Sequence, residues 1–457
     1  MCTTSAASFA FAAGLLFWGC APAGPPSIVL VTVDTLRPDH LGVYGYARPT
    51  TPNLDRLAAD ALVFERAQSH APETRTSFAS LLTGYLPHET HVLRLHPLPA
   101  AIDTLAERLR GAGYATLAVV GNYILRNAER FQEGEGWAQG FDVYDDDMQQ
   151  RELVRRWPER TAVATVDRAV ELLRAEPRRP LFLWVHFQDP HGPYTPPAPH
   201  LRELEIEKRP PRPLRANENL SGRGGIPRHH RLGESLDFHH YLNRYDAEIR
   251  FFDAQLGRLL AALEEEGLGD AWLVFTSDHG EGMGEHDFYF SHIGYLYQSL
   301  THVPLILRVP GGPAGRRDDF VQHVDVVPTL LAAAGVAPDP RLRGHGLLDP
   351  DAPERSIYAV TNSPIDRDGP KASLVSGGFK LIRNLMTEQR QLYDLRSDPG
   401  EERDLSADPA QQRILLRLDR ELAALQASDV LGLPTPERRP IVGDAEKKNL
   451  EALGYVE

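Results

Sequence analysis

The 457-residue chain has only two cysteines, Cys2 and Cys20, so everything after position 20 lacks a thiol. That absence excludes a disulfide framework, a thiolate zinc site and a cysteine nucleophile from the body of the protein. Basic charge is also scarce: 49 Lys and Arg stand against 63 Asp and Glu, a net charge of -14. No basic face offsets phosphate repulsion, which argues against nucleic acid as a partner. Internal repeats are absent, and the apolar run Phe9 to Trp18 is too short to span a bilayer.

What is present in length and composition suits a large soluble protein of enzyme size. With 42% hydrophobic and 25% charged residues, the chain can bury a sizeable core, expected as one large domain and a smaller one. The apolar N-terminal run ending at Gly19-Cys20 reads as an export leader over residues 1–20. Lipidation of Cys20 would anchor a periplasmic or cell-envelope lipoprotein.

Helix-like and strand-like stretches alternate along residues 27–350, which predicts an α/β fold with a mostly parallel central sheet flanked by helices. Helical periodicity covers Pro52 to Ala67, Ile102 to Ala112, Ala162 to Ala175 and Tyr245 to Glu265. Buried strands are expected at Ser27 to Asp34, Ala115 to Val120, Leu181 to Phe187, Trp272 to Phe275 and Leu305 to Val309. From 351 to 430 the texture changes to short strands separated by Gly and polar turns, then an amphipathic helix at Gln411 to Gln426. This predicts a small C-terminal antiparallel sheet with a helix packed on it, followed by a tail at 431–457.

The chemistry concentrates at strand ends. Ala271 to His286, AWLVFTSDHGEGMGEH, is an apolar run ending in adjacent Asp278 and His279, and SIVLVTVD ends in Asp34. Carboxylates and an imidazole at the C-terminal ends of strands, where an open α/β sheet presents its ligand crevice, make a natural metal site. Between these runs, APETRTSFASLLTG reads as a loop opening into a helix with Thr74 or Thr76 as N-cap. A helix N-terminus also favours a phosphate or sulfate, so the Thr74 hydroxyl has two readings, cap or anion-site group.

The order of motifs resembles the sulfatases of the alkaline phosphatase superfamily: VTVDTLRPDHLGVYGY with TTPNLDRLA, then LLTG, VHFQDPHGPY, TSDHGEGMGEH and LYDLRSDPGEERDL. The resemblance runs from about Ile28 to about Leu405 and implies a hydrolase of sulfate or phosphate esters that uses a divalent metal. It implies Asp34, Asp278 and His279 as ligands together with Thr74. It implies Thr74 as nucleophile, and His191 and His292 as catalytic groups that also bind substrate, with Arg75 as a further substrate-binding residue.

One departure stands out. Sulfatases begin a C/S-x-P-S-R-x-x-x-L-T-G motif with a residue oxidised to formylglycine; counting back from Leu82-Thr83-Gly84 puts Thr74 there, Thr76 at the Pro and Phe78 at the Arg. Threonine cannot become formylglycine, although it is the nucleophile in related branches of the superfamily. A Thr-linked intermediate must be cleared by direct attack of water, which suits phosphorus better than sulfur. A phosphoryl or phosphoethanolamine transferase acting on envelope lipids or glycans is an alternative, and an inactive anion-binding relative is another.

The metal could be Ca, Mg, Mn or Zn. The family's second Asp is replaced by Thr35, with Asp39 a candidate to compensate, and His279 shifts preference toward Zn or Mn. His286 reads as either a second-metal ligand or a solvated loop residue. His186 and His302 read as packing or hydrogen-bonding residues, while the pairs His229-His230 and His239-His240 are expected to be exposed in or beside a Pro/Arg-rich stretch. Specificity is assigned to loops such as Glu203 to Leu236.

Overall fold

The computed structural model describes residues 24–93, 96–127, 136–204, 210–218, 221–349, 352–362 and 369–434. The expected leader with Cys20, and the tail from 435 onward, lie outside the described residues.

Strand β1 (Ile28–Val33) is buried along its whole length. Val29, Val31 and Val33 join one core layer, Ile28 and Leu30 the opposite one, the two-residue period of a strand covered on both faces. The sheet continues with β2 (Leu62–Gln68), β3 (Ala115–Val120), β4 (Val143–Asp145), β5 (Leu181–Phe187), β6 (Trp272–Ser277), β7 (His302–Arg308) and β8 (Gly315–Gln322). Their order is β8-β2-β7-β6-β1-β5-β3-β4. Only β7 runs antiparallel to its neighbours.

One face is covered by α1 (Pro52–Ala59), α4 (Ala162–Ala175) and α5 (Phe238–Glu265), the other by α2 (Thr74–Thr83), α3 (Leu105–Gly111) and α6 (Val326–Ala333). The helix expected over Pro52 to Ala67 is corrected: it stops at Ala59, and Leu62–Gln68 is β2, paired with β7 and β8. Apolar residues continue across the junction without a Gly or Pro, so the helical period hides the change. Strand β8, GRRDDFVQ, is a largely exposed and charged edge, which carries no apolar alternation to read.

The C-terminal sheet is an antiparallel meander of β9 (Ile357–Thr361), β10 (Lys371–Ser376), β11 (Phe379–Asn384) and β12 (Arg390–Asp394). Helix α7 (Gln412–Ala427) sets Leu415, Leu418 and Leu422 on one face. The other face packs on Tyr295, Leu296, Tyr297 and Leu300 from the main body. A fully buried ion pair within the C-terminal part, Lys380 to Glu401 at 3.0 Å, is bonded to the main body on both sides: Lys380 Nζ donates to Thr301 Oγ1 at 3.3 Å, and Glu401 accepts from Gln298 N. Strand β9 braces the loop ahead of α2: Val360 N donates to His70 O at 2.9 Å, and the Thr361 hydroxyl donates to the Glu73 carboxylate. Among the described residues, no helix is long and apolar enough to cross a membrane.

Candidate active site

The register of the sheet builds the centre. Val33 of β1 lies opposite Ser277 of β6 in a parallel pair, so the next residues, Asp34 and Asp278, leave the sheet side by side at its C-terminal edge. Asp34, Asp278 and His279 are fully buried, with ligand-type atoms within 4.8 Å of one another. Among the described residues they are the only such group.

Asp34 Oδ1 and Asp278 Oδ2 have no hydrogen-bond partner. Burial drives the Asp34 carboxyl well above its ordinary range and repulsion from Asp278 adds to it, while burial also raises Asp278. Two dry carboxylates in this arrangement are costly without a cation. His279 completes the donor set: its Nδ1 pairs with Gly280 O at 3.0 Å, leaving Nε2 3.3 Å from Asp278 Oδ2 and 3.4 Å from Thr74 Oγ1. Burial lowers His279 to about 4, so its imidazole is neutral at pH 7. Orphaned carboxylate oxygens beside a backbone-oriented neutral imidazole fit a divalent metal.

Thr74 does not cap its helix. It is the first helical residue of α2, the boundary residue is Glu73, and no side chain caps that end. Every residue of α2 is buried, and Ser77 Oγ donates to Asp278 O at 2.7 Å, joining the helix start to the end of β6. Thr35 N donates to Asp278 Oδ1 at 3.2 Å, and the positive φ of Thr35 (55°) is braced by Tyr245 of α5, whose hydroxyl donates to Thr35 O at 2.7 Å. Asp39 does not compensate for the missing second Asp, because its exposed side chain is paired with Arg37.

His191 and His292 converge on the centre as expected, with ring centroids 5.4 Å apart and His292 4.5 Å from His279. Burial pushes His292 to about 3 and His191 well below its usual value. Arg75 is buried, and its guanidinium lies over the buried Trp137 ring at 5.9 Å. The histidine pairs are corrected. His230 is buried, His229 half-buried, and both line the cleft above the centre; His239 and His240 are half-buried at the start of α5. His286, half-buried, stacks on Tyr297 at 3.6 Å beside the C-terminal sheet and lies outside the Asp34, Asp278 and His279 group. His302 bonds Glu65 O at 2.8 Å, as a structural histidine should. His186 bonds Thr32 Oγ1 at 3.0 Å and also brings Nε2 to 4.0 Å from Asp34 Oδ2. Phe78, in the motif's Arg position, packs edge-on against His186.

Two residues escaped sequence reasoning. Asn122, beyond the end of β3, donates from Nδ2 to Asp34 Oδ2; Glu281 is fully buried, accepts from Tyr194 OH at 3.1 Å, lies 3.5 Å from His292 Nδ1 and is pushed up to about 8 by burial. The signal for both was their position one or two residues past a strand end or ligand pair.

Fold and site together define an α/β ester hydrolase of alkaline phosphatase type. The sulfatase family profile matches residues 26–336, and the profile of the N-sulphoglucosamine sulphohydrolase C-terminal region matches residues 284–428. The chain belongs to the sulfatase family. It is 28% identical over 431 residues to the uncharacterized sulfatase YidJ of Escherichia coli K12, covering 84% of this chain and 83% of that protein. It is 25% identical over 397 residues to human iduronate 2-sulfatase, covering 69% and 70%. Among solved structures it superposes on the phosphonate monoester hydrolase of Agrobacterium radiobacter with a TM-score of 0.72 at 24% identity, over 88% of this chain and 95% of that one.

Proposed function

We propose that this chain is an exported, metal-dependent hydrolase of phosphate and sulfate monoesters with Thr74 as its nucleophile. The observation that supports it is the Thr74 hydroxyl itself: free of any capping role, at the start of a buried helix, 3.4 Å from His279 Nε2. Asp34, Asp278 and His279, with Thr74, would hold a divalent ion, which when bound supplies Lewis acidity and makes the hydroxyl more acidic. The first-turn N–H groups of α2, together with neutral His292, donate to the non-bridging ester oxygens. Thr74 Oγ bonds to phosphorus or sulfur as the bond to the leaving oxygen breaks. The proton Thr74 gives up balances the one the departing alcohol takes, and His191 is the hydrogen-bond donor at that oxygen. Water then attacks the Thr-linked intermediate, releasing phosphate or sulfate and restoring the hydroxyl.

A Thr-linked intermediate has no elimination route, so in a hydrolase water must attack it directly, which favours phosphorus. Residues 27–350 are assigned as the catalytic unit and 351–430 as its C-terminal support; export through residues 1–20 and a lipid anchor at Cys20 rest on the sequence of the leader. Paired aryl phosphate and aryl sulfate substrates, given to metal-reconstituted protein, test the reading. The phosphate should have the higher kcat/KM. A higher value for the sulfate would overturn the assignment of specificity to Thr74, and turnover of neither would overturn the reading as a whole.

A further inference from the structure

The cleft above the centre has a wall that the reaction as described does not use. The hairpin formed by Gln150–Arg151 and Pro158–Glu159 carries Glu152, Arg155 and Trp157 into it. Trp157 faces Tyr123 across the cleft wall, ring centroids 5.1 Å apart, and Arg155 lies over Trp157 at 5.3 Å. Arg155 is held in place by Glu152 Oε1 at 2.5 Å and donates to Gly192 O at 3.0 Å, next to His191. The hairpin is therefore tied to the catalytic loop.

Arg155 occupies only one oxygen of Glu152. Glu152 is 4% exposed, and its Oε2 is buried with no hydrogen-bond partner. Gln188 Oε1, on the same cleft, is also buried and unpartnered. Both atoms are acceptors, so the groups that satisfy them are donors. Aromatic rings at the same wall offer a flat apolar surface for the C–H face of a saturated ring. A ligand that presents a ring face and outward hydroxyls meets both demands, whereas an alkyl or cationic head group meets only one.

We propose that the hairpin is the leaving-group subsite, with Glu152 the specificity-determining acceptor for a ring hydroxyl, Gln188 a second acceptor, and Trp157 and Tyr123 the platform for the ring. The alcohol released is then a cyclic polyol such as a hexose. This rests on the monoester hydrolase reading above, and the experiment separates the two. Hexose monoesters substituted at each ring position are compared with the cyclohexylmethyl ester of the same acid, which keeps a ring but has no hydroxyls. For the parent enzyme, at least one hexose ester should exceed the cyclohexylmethyl ester in kcat/KM by about tenfold or more, the direction expected when buried acceptors are left unpaired by the analogue. In Glu152→Gln, which can still accept from Arg155 but turns the second oxygen into an N–H donor, that ratio should fall by about fivefold or more, chiefly through KM. A parent enzyme that turns over aryl esters but shows no hexose preference overturns the subsite alone, as does a ratio unchanged in the variant. The parent comparison needs no variant, so misfolding of Glu152→Gln cannot shelter the proposal.

Discussion

A threonine at the start of a helix can cap it or serve a bound anion, and the Thr74 hydroxyl makes no cap. Because its hydroxyl caps nothing, Thr74→Ala should cost less than the ~1 kcal/mol of a lost N-cap. Turnover should nevertheless fall by about three orders of magnitude or more, as loss of a covalent nucleophile does elsewhere. Steady-state kinetics beside thermal unfolding checks the split; Thr74→Ser should retain part of the activity. A second side-chain prediction concerns Asp189 and Glu248, a buried pair joined by a hydrogen bond between β5's exit and α5. Burial raises both carboxyls, Asp189 to about 6 and Glu248 well above its usual value, where repulsion from Asp189 adds to the effect. Unfolded, they titrate near ~4. The folded state therefore binds more protons from about pH 4 upward, and stability present at low pH is lost as pH rises through the folded values. Glu248→Gln keeps a donor for Asp189 without the titration, so its melting temperature relative to the parent should be higher at pH 8 than at pH 5. An equal difference at both pH values would contradict this. At this scale Asp34, Asp278 and His279 were legible because an apolar strand announces its end. Asn122 and Glu281 were not, since an isolated loop residue has no period, and His230 was hidden in a Pro/Arg-rich stretch that reads as solvated but lines the cleft.

Elements explain why the centre is rigid. The parallel pairing of β1 with β6 sets the two aspartates abreast, and α2 is pinned to the same edge through Ser77. The C-terminal sheet acts at a distance, since β9 grips the loop His70 to Glu73 immediately ahead of Thr74. It meets the main body through the buried Lys380–Glu401 pair, whose members bond Thr301 and Gln298. Lys380→Met leaves Glu401 buried and uncompensated, which should cost about 3–5 kcal/mol. The double variant with Glu401→Leu should recover much of that loss, measured by chemical denaturation. Most strands and helices were readable from periodicity, including Ala115–Val120, Leu181–Phe187 and Ala162–Ala175 to the residue. The misreading of β2 as helix arose where apolar spacing suited both periods, and β8 was invisible because an edge strand need not alternate.

The whole molecule is a two-sided sheet that delivers acidic strand ends, a helix N-terminus and a set of neutral histidines to one cleft. Purified protein should carry a divalent ion, and Asp278→Ala should lose it by elemental analysis while keeping the fold; unchanged metal content would rule out the ligand assignment. Chelation should lower the melting temperature of the parent, because binding to the folded state alone stabilises it. The most direct measurement of the central claim is trapping of the covalent intermediate. Brief incubation with the faster aryl ester, acid quenching and peptide mass spectrometry should find a phosphoryl or sulfuryl adduct on Thr74, absent from Thr74→Ala. An active enzyme that yields no adduct there, or a Thr74→Ala variant nearly as active as the parent, would contradict the account.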